Sequence, residues 1–420
     1  MKAFALAVGV VAVAAPGPAR ANPASFVPTA GGANLELDYQ YELDRSSVER
    51  EHLGTTEKDL VFHQFQHTLT PRADVGIARD TWLSVSLPIV IAQARQLEYD
   101  SGVTAATSSS VADHILPPTG LDADNPGSPL DAPLAFKSAT RHGLDQIWMG
   151  FGVAPMNERR DDTKPTWKLG ADVGIAVGKV ATLTDATLGS ATGVGRGVDE
   201  LRLWTSFDRR DGRLERYATI FWLVPFAATS HSMFQDPGFG ATNVLPGQRA
   251  GANFGLELAA VDDAAEKNHI AIDLGERIVG HFEGRDYSEM WEAFAAAGDP
   301  ATPGNPLVLD KDPVTPGVQA LAHPGVTNIE GYLEVATSLA VRAELGNNVR
   351  FALSFDAIYK TDHAISFENA GIDRNGNGII DPGSSEVNPL SVNQIDLVGH
   401  RYISTHNLGL VIGVQGQATF

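Results

Sequence analysis

The chain closes on "LGLVIGVQGQATF", Leu408 to Phe420, and this stretch constrains the fold more than any other. Leu408, Leu410, Ile412, Val414, Gly416 and Ala418 fall on one face, and Val411, Gly413, Gln415, Gln417 and Thr419 on the other. A period of two means a strand with an oily and a wetter side. An open strand edge is a template for unwanted pairing. A strand that keeps its pattern to the last residue therefore suits the final stave of a closed barrel, zipped to the first strand.

Similar staves lie upstream. Asn34 to Asp44 sets Leu35, Leu37, Tyr39, Tyr41 and Leu43 against Asn34, Glu36, Asp38, Gln40, Glu42 and Asp44. Thr166–Gly178, Asn328–Arg342 and Asn348–Asp362 alternate in the same way. Short turns near Asp80, Arg210–Gly212, 263–267 and 344–347 interleave with long Pro/Gly/Asp-rich links over roughly 100–142, 180–196, 230–249, 285–327 and 363–399. Outer-membrane barrels space their strands this way, with short periplasmic turns and long outer loops. The spacing predicts an all-β fold: an antiparallel up-and-down transmembrane β-barrel of about twelve strands. Asn34–Asp44 should pair with Leu408–Phe420, and Leu35, Leu37, Tyr39, Phe351, Phe355 and Leu410 should face lipid.

Composition agrees. Met1–Ala21 reads as a secretory leader, with a basic start, an apolar run too short to span a bilayer as a helix, and an A-x-A site ending at Ala21. The expected division is 1–21 leader, 22–32 a short lead, and 33–420 the barrel. The chain has no cysteine, which excludes disulfides and a lipoprotein anchor. Past the leader, 29 basic residues face 51 acidic ones, the wrong sign for nucleic acid.

Three phrases carry a resemblance: "VGIARDTWLSVSLPIVIA" (Val75–Ala92), "HGLDQIWMGFGVAP" (His142–Pro155) and "WKLGADVGIAVG" (Trp167–Gly178). They resemble outer-membrane proteins grouped with the meta-pathway phenol-degradation family, relatives in architecture of hydrocarbon and fatty-acid channels. Asp145-Gln146-Ile147 stands where that family commonly has a glycine-aspartate pair. The resemblance implies a bacterial outer-membrane barrel that passes small organic compounds. Terminal Phe420 resembles the signal read by the barrel-assembly machinery, which is expected as a partner beside outer-membrane lipid.

Candidate chemistry is sparse. "DRNGNGIID" places Asp373, Asn375, Asn377 and Asp381 at positions 1, 3, 5 and 9 of a calcium loop, with Gly378 at the turn and the Ile379 carbonyl as a further ligand. Position 12 is Ser384 instead of glutamate, though Glu386 is close. A structural Ca²⁺ bracing an outer loop too polar to pack itself is the reading, against a plain Asn-Gly turn. The inward faces supply Glu36, Asp38, Asp172, Glu200, Arg202, Arg350, Asp356 and Lys360, which either pair across the lumen and fill it or line a selective pore. His63 and His67 are read as polar lumen residues. Ser404, between His400 and His406, and Ser232, beside His231, lack a nucleophile elbow, so no catalytic residues are assigned.

Tyr39, Trp82, Trp167, Tyr359 and Phe420 are candidates for interface girdles. "SEMWEAFAAAG" predicts a short helix capped by Ser288 and stopped at Gly298, read as a loop decoration. The expected function is passive passage of small molecules. The alternatives are a structural or adhesive barrel with calcium-braced loops, and a lipid-modifying enzyme.

Overall fold

The computed structural model describes residues 24–52, 54–125, 127–183, 193–234, 243–263, 268–300, 304–310, 315, 320–346 and 348–420. The expected leader lies outside them. Twelve antiparallel staves close on themselves. They are β1 (Ala33–His52), β2 (Thr55–Ala78), β3 (Thr81–Ser86 continued by Ile89–Tyr99) and β4 (Arg141–Leu144 continued by Gln146–Met156). Next come β5 (Thr166–Ala176), β6 (Val198–Asp211), β7 (Leu214–Ala228) and β8 (Arg249–Asp263). The ring finishes with β9 (Asn268–His281), β10 (Tyr332–Leu345), β11 (Val349–Lys360) and β12 (Tyr402–Thr419).

Closure is the pairing expected from the terminal strand. In β1 and β12, Leu35 stands opposite Ala418, Tyr39 opposite Val414 and Leu43 opposite Leu410. The Ala33 and Phe420 backbones exchange hydrogen bonds at 3.2 and 2.8 Å. The Phe420 side chain stands out from the rim, 72% exposed.

Inside and outside are inverted relative to a water-soluble protein. Leu35, Leu37, Phe351, Leu353 and Phe355 are exposed, while Glu36, Glu200, Asp356 and Arg350 are buried. Tyr39 and Leu410 share the outward face and are half-buried there. Burying charges while exposing a belt of leucine and phenylalanine is stable only when the outer solvent is hydrocarbon.

The lumen is packed as well as charged. Trp82, Trp148 and Trp204 each lie across a glycine directly opposite on the neighbouring stave: Gly152, Gly174 and Gly170. A Cβ at any of the three would collide with the indole. Trp82 is therefore an interior residue and leaves the expected girdle, whereas Trp167 stacks on Phe207 at 5.7 Å on the opposite face.

Two further readings are corrected, the lumen position of His63 and His67 and the strand start at Asn328. His63 and His67 stand in register with Arg45 and Tyr41, on the face of Leu43 and Phe65 and not in the lumen. His67 Nδ1 lies 2.7 Å from the Tyr39 hydroxyl. The first outer connection is tight, so β1 and β2 form one long hairpin. Thr327–Ile329 does not belong to β10; it pairs with Gly284–Asp286 in a two-stranded ribbon of an outer loop.

The outer loops also have a core of their own. Val48, Leu60, Phe62 and Leu97, from the upper staves, pack with Ile115, Leu116, Phe294, Ile365, Ile395 and Tyr402. The last loop, read as too polar to pack itself, contributes Ile365, Leu390, Val392 and Ile395 to that core, while its 374–379 tip and the Leu397–Val398 turn are exposed.

Candidate functional site

The helix expected over Ser288–Gly298 decides what the lumen can do. Three short helices occur among the described residues: α1 (Ser109–Ala112), α2 (Trp291–Ala297) and α3 (Asn393–Asp396). Helix α2 starts later than expected. Met290 is its N-cap, Ser288 Oγ has no hydrogen-bond partner among the described residues, and Gly298 ends it. Nor is it a decoration. Met290, Trp291, Glu292 and Phe294 are buried to 2% exposure or less, because the helix sits inside the outer mouth of the barrel. A helix of seven residues is too short to persist alone; tertiary packing holds it.

Two contacts tie α2 to the wall. Arg141 of β4 pairs with Glu292 at 2.6 Å, and both side chains are 2% exposed. The Arg141 guanidinium also stands 4.6 Å from the Trp291 ring centroid. Its remaining donors reach the Gly193 and Thr182 carbonyls at 3.2 and 3.3 Å. Below the helix, Tyr287 meets Trp291 edge to face at 4.9 Å and donates to the Ala181 carbonyl at 2.8 Å.

The opposite end is filled by the lead before β1. Lys168, on β5, donates to the Ala24 carbonyl, and Ser25 N donates to Glu215 at 2.8 Å. Phe26 lies 5.1 Å under the Arg350 guanidinium, and Val27 is buried with Trp82, Ala154 and Trp204.

Between these plugs, the expected lumen residues largely pair. Arg202 binds Asp172 through two nitrogens at 2.7 and 2.9 Å, and Trp204 donates to the same carboxylate at 2.8 Å. Glu200 accepts from Arg249 at 3.0 Å and Gln146 at 3.1 Å, with Arg196 at 2.7 Å. Arg350 meets Glu344 at 2.8 Å. Glu36 accepts from Gln415 at 2.8 Å, and half-buried Asp38 accepts from Gln40 at 2.7 Å. Lys360 stands over the Tyr332 ring at 5.4 Å, and Asp356 is buried four residues earlier on β11, opposite Ser338. Carboxylate and guanidinium in a low-dielectric interior must be matched or their desolvation is ruinous, and these strands match them across the barrel.

Two cavities lie beneath α2 among the described residues, each with room of about 80 Å³ for water centres. That is room for roughly five to eight waters at ~10–15 Å³ each. One cavity lies toward β3 and β4 and is lined by Val90, Arg95, Trp148, Tyr287 and Trp291. The other lies toward β9–β11, where His281, Tyr332 and His363 stack at 4.2 and 4.1 Å beside Lys360 and Arg249.

The wall of the first cavity includes Pro88, at the point where β3 is interrupted. Ser86 stands opposite Trp148 and Ile89 opposite Leu144, so the β3–β4 register slips by one residue across the break. Proline has no N–H to give the ladder.

The other candidates are placed apart from the lumen space or resolve differently. In the last loop, Asp373 accepts from the amides of Gly376, Asn377 and Gly378 at 2.7, 3.3 and 2.7 Å. The Asn375 and Asn377 side chains both donate to Asp381 Oδ2, at 2.7 and 3.1 Å. Ile379 projects into solvent, and Glu386 accepts from the amides of Arg374, Asn375 and Asp381 at 3.0 Å each. Among the described residues no three His, Cys, Asp or Glu side chains are placed to hold a metal. Ser404 Oγ lies 2.7 Å from both Glu289 and Asn407, and His231 Nδ1 lies 3.3 Å from Ser230.

The residues that sequence reasoning missed are Arg95, Arg141, Trp148, Arg196, Trp291 and Glu292. Alternation alone places Arg95 and Trp148 inward. Nothing local in "SEMWEAFAAAG" says that Trp291 and Glu292 enter the barrel.

No family model and no curated protein matches the chain. Among solved structures it is similar to an outer-membrane channel from Pseudomonas putida F1, at 9% identity and a TM-score of 0.41, over 95% of this chain and 99% of that one. A Pseudomonas aeruginosa FadL homologue is matched at 7% identity and a TM-score of 0.34, over 92% and 90%. The outer-membrane protease OmpT of Escherichia coli is matched at 10% identity and a TM-score of 0.26, over 92% and 97%.

Proposed function

We propose that the protein is an outer-membrane channel that holds small, partly apolar molecules beneath its outer cap before they move on, and not an open diffusion pore. One observation supports this above the others: α2 occupies the outer mouth while aromatic-walled space persists below it. An open pore for sugars or ions keeps a continuous wet path. Here ion pairs and tryptophans fill the lumen, and the lead occupies the other end. The interruption at Leu87–Pro88, next to the first cavity, breaks the β3–β4 ladder and offers a place in the wall for a molecule to leave by.

The test is solute entry into proteoliposomes. A small aromatic alcohol and a sugar of similar mass are offered to the same vesicles. The reading expects protein-dependent entry of the aromatic alcohol and little of the sugar. Equal entry, or faster sugar, would overturn it.

A second role is proposed for the last loop, where Ca²⁺ braces the Asp373–Asp381 turn. The support is that Asn375 and Asn377 converge on Asp381. Amide N and O are interchangeable by a flip, so a cation there would meet oxygens of Asn375, Asn377 and Asp381, and Asp373 and the Ile379 carbonyl would have to turn toward it to complete the shell. Flexible oxygen donors of this kind suit Ca²⁺. We also propose recognition of the β12 end, including Phe420, by the barrel-assembly machinery.

A further inference from the structure

The cavity on the β3–β4 side of α2 contains an unmatched charge. Arg95 faces it from β3 and is 6% exposed. Its Nε donates to Gln64 Oε1 at 2.7 Å, and its guanidinium stands 5.6 Å from the Trp291 ring centroid. Its Nη1 has no hydrogen-bond acceptor among the described residues. A buried charged donor left without a partner is costly, which marks a place where something else is accommodated.

The neighbouring arginines differ. Arg141 is engaged by Glu292 and two carbonyls. Arg196 lies among Glu200 at 2.7 Å, Asp286 at 3.5 Å and Asp145 at 3.9 Å. No carboxylate pairs with Arg95 within 4 Å among the described residues; nearby Glu292 is held by Arg141, and the groups that touch Arg95 directly, Gln64 and Trp291, are neutral. Gln93 donates to Gln66 at 2.6 Å, and Gln66 donates to Thr68 at 3.1 Å. Pro88, Val90, Trp148, Ala181, Val194 and Trp291 give the cavity an apolar side, and Asp145, Arg196 and Asp286 stand together elsewhere on its wall.

We infer that this cavity binds a small organic monoanion, a single-ring or short-chain carboxylate. The carboxylate sits on Arg95 Nη1 and the apolar body lies among Val90, Trp148 and Trp291. This deepens the channel reading and rests on it. A charge-assisted bond to a guanidinium is about twice as strong as a neutral one, and aromatic walls favour a flat apolar body. Asp145 and Asp286 line the same cavity. They disfavour a phosphate dianion, while one free guanidinium nitrogen suits a single carboxylate. Room of about 80 Å³ for water centres suits a body the size of one ring.

The test uses the full mature chain in detergent micelles, titrated calorimetrically with benzoate, benzyl alcohol, acetate and chloride. Benzoate should bind about tenfold or more tightly than benzyl alcohol, and acetate and chloride should bind more weakly than benzoate. Arg95→Gln should bring benzoate down to the benzyl alcohol level, and Arg95→Lys should recover part of the loss. Trp148→Leu should weaken both aromatic ligands alike. Retained heat-modifiable migration in detergent gels confirms that each variant is folded. If Arg95→Gln does not fold, the wild-type preference for benzoate over benzyl alcohol decides alone. No preference, unchanged benzoate binding in folded Arg95→Gln, or equal binding of chloride and benzoate overturns the inference. Loss of this site with benzyl alcohol entry intact would leave the channel reading standing. Benzoate binding without entry of any solute would remove the channel reading and keep the site.

Discussion

Arg141 and Glu292 meet at 2.6 Å with both side chains 2% exposed, and through them a wall strand grips the helix inside the outer mouth. Removing one member of such a buried pair leaves an uncompensated charge, at about 3–5 kcal/mol. Glu292→Ala should therefore free α2 without opening the barrel ring. Trypsin or chymotrypsin should cut near Trp291 in the variant and not in the wild type. Arg141→Met with Glu292→Leu, which removes both charges and fills the space, should resist cutting far better than the single variant.

The indole-over-glycine contacts make the lumen rigid in a way that charge pairing alone does not. Trp82 lies across Gly152, its register partner. Gly152→Val should be destabilising by about 1–3 kcal/mol through overpacking. Trp82→Ala should cost roughly 3–5 kcal/mol through the void left behind. Urea unfolding in lipid vesicles, followed by tryptophan fluorescence, measures both.

The last outer loop should loosen as the medium becomes alkaline. Burial pushes the Asp396 carboxyl up to about 8, against an ordinary value of 3.8, and nearby Glu368 adds to the effect while Arg285 and the Val392 amide oppose it. The folded loop thus holds a proton that the unfolded chain releases near pH 4. Its stability is full below that value and declines as pH rises toward 8, with no further loss beyond. Proteolysis of residues 361–401 should accelerate between pH 6 and 9 in the wild type. Asp396→Asn should abolish the dependence and protect the loop throughout.

Calcium should protect the tip of that same loop. Backbone amides hold the Asp373 carboxyl below its usual range, led by Gly378, so the group is charged at neutral pH and ready for a cation. Millimolar Ca²⁺ should slow cleavage around 373–386, and Mg²⁺ should do so less. Asp373→Ala with Asp381→Ala should be cut at one rate with or without Ca²⁺. Equal rates in the unaltered protein would reduce the motif to a turn.

Much of the barrel was legible because its signal is local. A period of two in Asn34–Asp44, Asn348–Asp362 and Leu408–Phe420 states which side chain faces which solvent, and register follows from that. The inward position of Glu200, Arg202 and Lys360 could be read in the same way. The cap could not. Trp291 and Glu292 are held by Arg141, about 150 positions away, and such a contact leaves no trace in a seven-residue helix. His63 and His67 were placed inward because histidine is polar, but their register partners Arg45 and Tyr41 lie on the outer face, where the Tyr39 hydroxyl satisfies His67. Polarity was the weaker guide, and parity with Phe65 would have placed them correctly.

The central claim is that α2 stops the outer mouth of an otherwise continuous barrel. Conductance across a planar bilayer tests it most directly, comparing a protein that lacks the lead residues 24–29 with the same protein whose Trp291–Ala297 segment is also replaced by glycine and serine, beside the wild type. The wild type and the protein without the lead should show no steady open level, and the added replacement should give stable or frequent openings. A large, steady conductance in the protein without the lead, unchanged by the replacement, would contradict the account.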